Sequence, residues 1–195
     1  GRRARPRTVR VPDDDGDGDE RIVVVTASES ARPLPAPRWI SRRLGIMGAA
    51  RPAVLAGYAG GGKTLQALAL AIAASRPSVW GDVGLDAAGA VVHLDYEQGP
   101  EQTYRRYQRL ARGEGIDLAA LGDRLGVGVL PRLRLTDDDA EGWIRELATG
   151  RVLVIIDSLR AAVRGVGEND TAIREALDTL TRVSCATRCA FLVVA

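Results

Sequence analysis

The sequence contains one lysine, Lys63, one histidine, His93, and two cysteines, Cys185 and Cys189. The cysteines lie four apart in a stretch that reads as helix, with no further Cys and no His beside them to complete a metal site. They read as small packing residues. No apolar run approaches the roughly 18 residues of a membrane span, and the amino terminus lacks the charged-then-apolar order of a secretory signal. A soluble, cytoplasmic protein with no membrane partner is expected. Because arginine supplies every other basic side chain, the scarcity of lysine reads as compositional bias, and the one lysine retained marks a position to examine.

What is present fits a folded domain. The chain has 195 residues, 46% of them hydrophobic, enough to bury one core of ordinary size beside a tail. A net charge of +2 is too weak to establish nucleic-acid binding. The chain opens on Gly1 and ends on an apolar run over residues 191–195, which reads as a fragment cut inside a strand.

Residues 1–20 carry Arg2, Arg3, Arg5, Arg7 and Arg10, then an acidic run from position 13 broken only by Gly16 and Gly18. Blocks of like charge bury too little apolar surface to offset ordering, so a disordered tail and linker is expected over residues 1–33 and a folded domain over 34–195. Asp13, Asp15, Asp17 and Gly18 match the opening of a calcium-binding EF-hand loop. The twelfth position, however, is Val24 where a bidentate Glu is needed, and a solvated linker is the better reading. A short edge strand is expected near residues 22–25, after which Pro33, Pro35 and Pro37 enforce an extended connection.

From Trp39 onward, strand-like and helix-like stretches alternate, which predicts a parallel sheet covered by helices on both faces. Strands are expected at 52–56, 91–95, 125–130, 151–157 and 191–194. Helices are expected at 64–75, from Pro100 to about Arg112, from the aspartates at 137–139 to about Gly150, and after an Asn169 or Asp170 cap, with Ile173, Leu177, Leu180 and Val183 or Ser184 facing inward.

Gly57-Tyr58-Ala59-Gly60-Gly61-Gly62-Lys63-Thr64 fits the pattern G-x-x-x-x-G-K-[ST] between a strand and a helix. In such a P-loop the glycines let backbone N–H groups wrap phosphate oxygens, at the positive end of the helix that follows. Lys63 is expected to reach the β- and γ-phosphates of ATP, and the Thr64 hydroxyl to ligate Mg²⁺. The apolar run 152–156 ending in Asp157 has the form of a Walker B strand, which places an acid near the P-loop to orient the same Mg²⁺. Ser158 can hydrogen-bond to the metal shell.

Glu97 follows the strand at 91–95 and is the expected general base toward a water aligned on the γ-phosphate. Asp95 competes for that role, and Glu97 can instead cap the next helix. His93 reads as a core residue. Tyr104, Arg105, Arg106, Tyr107 and Arg109, with Arg160 and Arg164 after Asp157, read mostly as solvated helix faces. Some of them can meet nucleic acid or a neighbouring subunit's nucleotide.

The stretches PLPAPRWI, AGYAGGGKT, VVHLDYEQG, YRRYQRL, VLVIIDSLR and GENDTAIREAL together resemble the RepA-type hexameric replicative helicase ATPases, within the wider RecA/DnaB-like group. The resemblance implies a RecA-like three-layer α/β sandwich with a mostly parallel sheet, truncated at its carboxyl end. It also implies that Glu97 activates water, and that the strand at Phe191 lies between the P-loop and Walker B strands. A homo-oligomeric ring acting on single-stranded DNA, and sensor and arginine-finger residues beyond Ala195, are implied in the same way. Two other readings stay open: a nucleotide-dependent assembly module with little hydrolysis, and a P-loop kinase.

Overall fold

The computed structural model describes residues 7–10, 21–24, 26–163 and 170–195. The chain divides into two compact units, Gly1–Ala36 and Pro37–Ala195. In the first unit, β1 (Arg7–Arg10) pairs antiparallel with β2 (Arg21–Val24), and a short helix α1 (Ala27–Ser30) follows. Thr26 and Glu29 close a capping box on α1. The acidic stretch and the EF-hand-like positions at 13–18 lie outside the described residues.

The second unit opens with β3 (Trp39–Ser41) and β4 (Ile46–Met47), an antiparallel pair. Then come β5 (Ala53–Leu55) and α2 (Lys63–Ala74), followed by the two-residue strands β6 (Val79–Trp80) and β7 (Val83–Gly84), also antiparallel. The chain continues through β8 (Val91–Asp95), α3 (Pro100–Gly113), a 3-10 turn at Ala119–Arg124 and β9 (Leu125–Val129). It ends with α4 (Ala140–Ala148), β10 (Leu153–Asp157), α5 (Leu159–Ala162), α6 (Asp170–Thr187) and β11 (Ala190–Val194).

Five strands form one parallel sheet in the order β5-β11-β10-β8-β9. The late strand β11 therefore lies between the P-loop strand and β10. β8, β10 and β11 are buried along their whole length, which is why they read as unbroken apolar runs. Successive side chains point to opposite faces, so Val91, Leu153, Ile155 and Leu192 pack with α2 and α3, while Val92, Val154, Ile156 and Phe191 pack with α4 and α6. The result is a three-layer α/β fold of RecA-like P-loop form.

The helices follow from their sequences. α2 is buried almost all round, consistent with its Ala- and Leu-rich composition. α3 starts on Pro100 and buries Thr103, Tyr107 and Ala111, one residue per turn on a single stripe. α6 buries Ala176, Leu180, Val183 and Ser184 and leaves Ile173 and Leu177 half-buried. It ends at Thr187, so Cys189 lies past the helix, buried, while Cys185 on the helix is exposed. No helix among the described residues is long and apolar enough to cross a membrane.

Candidate functional site

The loop from β5 to α2 has the conformation its glycines allow. Gly60 and Gly62 have φ of +76° and +79°, a region that L side chains rarely adopt. A Cβ on Gly61 would lie 3.0 Å from the Tyr58 carbonyl oxygen, to which the Gly61 N–H already donates at 3.1 Å. Gly62 is the N-cap of α2, so Lys63 and Thr64 occupy the first turn, where backbone N–H groups have no intrahelical acceptor. The Lys63 Nζ donates to the carbonyls of Gly57 at 2.6 Å and Tyr58 at 3.1 Å.

Sheet register brings the acids to this loop. Asp157 and Asp95 are directly paired at the last position of β10 and β8, both at the carboxyl edge of the parallel sheet. Counting back by two from Asp157 gives Ile155 and Leu153, which pack on the α2 side, so Asp157 belongs to the face that carries the P-loop helix. One cavity of about 860 Å³ lies at this edge, within the size range of small-ligand sites. Residues 59–64 line part of it, and Glu97, Gln98, Arg106, Asp157, Ser158 and Arg160 are among the others that do.

Of the site residues expected from sequence, Ala59, Gly60, Gly61, Gly62, Lys63, Thr64, Glu97 and Asp157 share that cavity. Gly57 and Tyr58 do not line it. Their carbonyls hold Lys63, and Tyr58 is 93% exposed. Asp157 is 2% exposed, and its Oδ2 has no hydrogen-bond partner. Burial, and then the nearby charges of Asp95 and Glu97, push its carboxyl up to about 6, while the Thr64 hydroxyl and the Arg106 guanidinium pull in the opposite direction.

Asp95 and Glu97, rivals for one role on sequence grounds, have different environments. Asp95 is buried and fully engaged: its Oδ1 accepts from the N–H groups of Glu97 at 3.0 Å and Gln98 at 2.9 Å, and its Oδ2 accepts from the Thr103 hydroxyl at 2.6 Å. It fastens the turn into α3. Glu97 is exposed at the cavity, and its Oε1 accepts a hydrogen bond from the Ser158 hydroxyl. Ser158, which on sequence grounds can hydrogen-bond to a metal shell, here directs its hydroxyl proton to Glu97.

Arg106 and Arg160 line the cavity, although sequence gave them no assigned role there. Arg106 lies about one turn beyond the buried Thr103 and is itself half-buried. Spacing from Thr103 was the available signal. Tyr107, grouped on sequence with the surface residues of α3, is 2% exposed. Its hydroxyl pairs with Nδ1 of the buried His93 at 3.0 Å. Arg164 lies outside the described residues.

The donor set suits a magnesium ion shared with phosphate. A hard cation of this kind takes one or two protein oxygens and completes its shell with phosphate oxygens and water. Thr64 supplies a hydroxyl and Asp157 a carboxylate among the residues that line one cavity, and the Oδ2 of that carboxylate is buried with no partner. Among the described residues there is no cluster of three or more His, Cys, Asp or Glu that could hold a metal without such help.

Comparison with known families gives a match to the family described as AAA domain over residues 16–195. No curated protein matches the chain.

Proposed function

The chain belongs to the AAA domain family, and from that premise we propose that it binds ATP with Mg²⁺ in the cavity at the carboxyl edge of its sheet and hydrolyses it. The observation that carries this reading is that Lys63, Asp157 and Glu97, far apart in sequence, line one cavity beside the first turn of α2.

The loop N–H groups and the amino end of α2 would receive the phosphates, where a helix terminus favours negative charge. Lys63 would exchange its two carbonyl partners for phosphate oxygens, a short movement of a side chain already at the loop. Thr64 and Asp157 would hold Mg²⁺, which supplies positive charge to the β- and γ-phosphate oxygens. Glu97 would accept the proton of the attacking water at its carboxylate. Asp95 is unsuited to that step, because its oxygens already accept three hydrogen bonds.

The finer reading is a motor of the RepA/DnaB-like kind, acting in the whole protein as a ring on single-stranded DNA. Its support is the motif resemblance and the exposed Tyr104, Arg105 and Arg109 on α3, a combination of aromatic and basic side chains suited to a nucleic-acid strand.

The test is Glu97→Gln, with Lys63→Ala as the binding control. For a hydrolase, E97Q keeps its affinity for ATP while turnover falls by about 10²-fold or more, and K63A loses affinity. An assembly module with negligible hydrolysis would give the same near-zero rate for wild type and E97Q, and that result would overturn the enzymatic reading.

A further inference from the structure

We propose that Ser158 is the positioning residue for Glu97: its hydroxyl fixes the rotamer in which the Glu97 carboxylate stands at the cavity. This rests on the reading of Glu97 as the base, and adds to it the means by which an exposed carboxylate is held in place. Glu97 projects from the turn between β8 and α3, and its backbone is tied down by the N–H bond to Asp95. Nothing in that tie fixes the side chain. A glutamate on a surface turn has three rotatable bonds, and a catalytic carboxylate displaced by about 1 Å loses much of its rate advantage.

The restraint comes from β10. Ser158 follows Asp157 at the end of that strand and is the N-cap of α5, 9% exposed. Its Oγ accepts from the Ala161 N–H at 3.4 Å and donates to Glu97 Oε1. With a donor already facing the oxygen from α5, the hydroxyl proton is turned toward the carboxylate. The rim of the cavity is thus linked from β10 to the turn after β8, across 61 residues of sequence. The register of these two strands, whose last pair Asp157 and Asp95 lies one residue before Ser158 and two before Glu97, sets the span of that link.

A positioning role predicts a pattern that a purely structural role does not. Ser158→Ala should lower kcat about 5- to 50-fold while leaving the equilibrium affinity for ATP within about twofold, because the hydroxyl acts on the carboxylate and not on the phosphates. Ser158→Thr, which retains a hydroxyl, should recover most of that loss. The decisive measurement is a double-mutant cycle. In the E97Q background S158A should have little further effect on kcat, because the group it positions is gone. Equal loss from S158A in both backgrounds, or wild-type kcat in S158A beside a strongly impaired E97Q, would overturn the proposal and leave the base assignment standing. Wild-type turnover in E97Q would instead remove the base assignment, and the proposal with it. Thermal unfolding of each variant separates a loss of folded protein from a loss of rate.

Discussion

The Thr103 hydroxyl donates to Asp95 Oδ2 at 2.6 Å, joining the first turn of α3 to the carboxyl end of β8 beneath the turn that carries Glu97. Both residues are essentially buried, at 0% and 1% exposure. With Asp95 Oδ1 taken by the N–H groups of Glu97 and Gln98, this one carboxylate sets both the path of the turn and the start of the helix. A buried hydrogen bond to a charged acceptor contributes on the order of 1.5–3 kcal/mol. Thr103→Val keeps the shape and removes the donor, so its unfolding free energy in urea should fall by about that amount. An unchanged value would mean that the bond is not part of what holds the turn.

Asp157 makes a specific prediction about pH. Its folded carboxyl is raised from 3.8 to about 6, first by burial. Between pH 4 and 6 the folded protein therefore holds more of this proton than the unfolded chain, and its contribution to stability falls as pH rises through that window. Asp157→Asn removes the cost of the buried charge. In nucleotide-free protein its Tm should exceed that of wild type at pH 7.5, with the difference vanishing near pH 4, while ATP turnover is lost. An equal offset at both pH values would show that the carboxylate is not destabilised by its burial.

His93 acts with the opposite sign. Burial depresses its imidazole from 6.5 to about 4, outweighing the pull of Asp95, so below pH 6.5 the unfolded chain binds the proton that the folded protein excludes. This contribution is fully present above pH 6.5 and is lost as pH falls toward 4. Its size is on the order of 3 kcal/mol. The replacement His93→Leu with Tyr107→Phe removes the hydrogen-bonded pair together, so neither group is left without its partner. The double variant should lose less stability than wild type between pH 6.5 and 4, measured by denaturant unfolding at each pH. Parallel curves would show that His93 is not kept neutral by the fold.

The parts of the site that were legible in the sequence are those set by local chain geometry. The P-loop is contiguous and its glycines report backbone conformation directly, as Gly60 and Gly62 show. Asp157 announces itself by ending an apolar run, and the sheet register then places it. Position past the strand favours Glu97 over Asp95, whereas the hydrogen bonds that engage Asp95, one of them from the next helix, have no local sequence signal. The Ser158 link to Glu97 spans 61 residues, and no local pattern encodes such a pair. The hairpins β3–β4 and β6–β7 were not legible either. Their strands are two or three residues long, too short for a hydrophobic period to show.

Arg106 extends the site beyond its motifs. Arg106 lines the same cavity as the P-loop, and its charge lowers the proton affinity of Asp157, so its field reaches the acid expected to hold the metal. A cation at that place can meet the negative charge of a triphosphate bound at the loop. Arg106→Ala should therefore lower kcat/KM for ATP by about 10- to 10²-fold. Arg106→Lys should recover only part of it, because an ammonium lacks the planar fork that grips two phosphate oxygens at once. The side chain is half-buried and has no part in the core, so thermal stability should change little in either variant. Steady-state ATPase assays with both variants decide the point: a kcat/KM equal to wild type in R106A would place the guanidinium beside the phosphates without touching them.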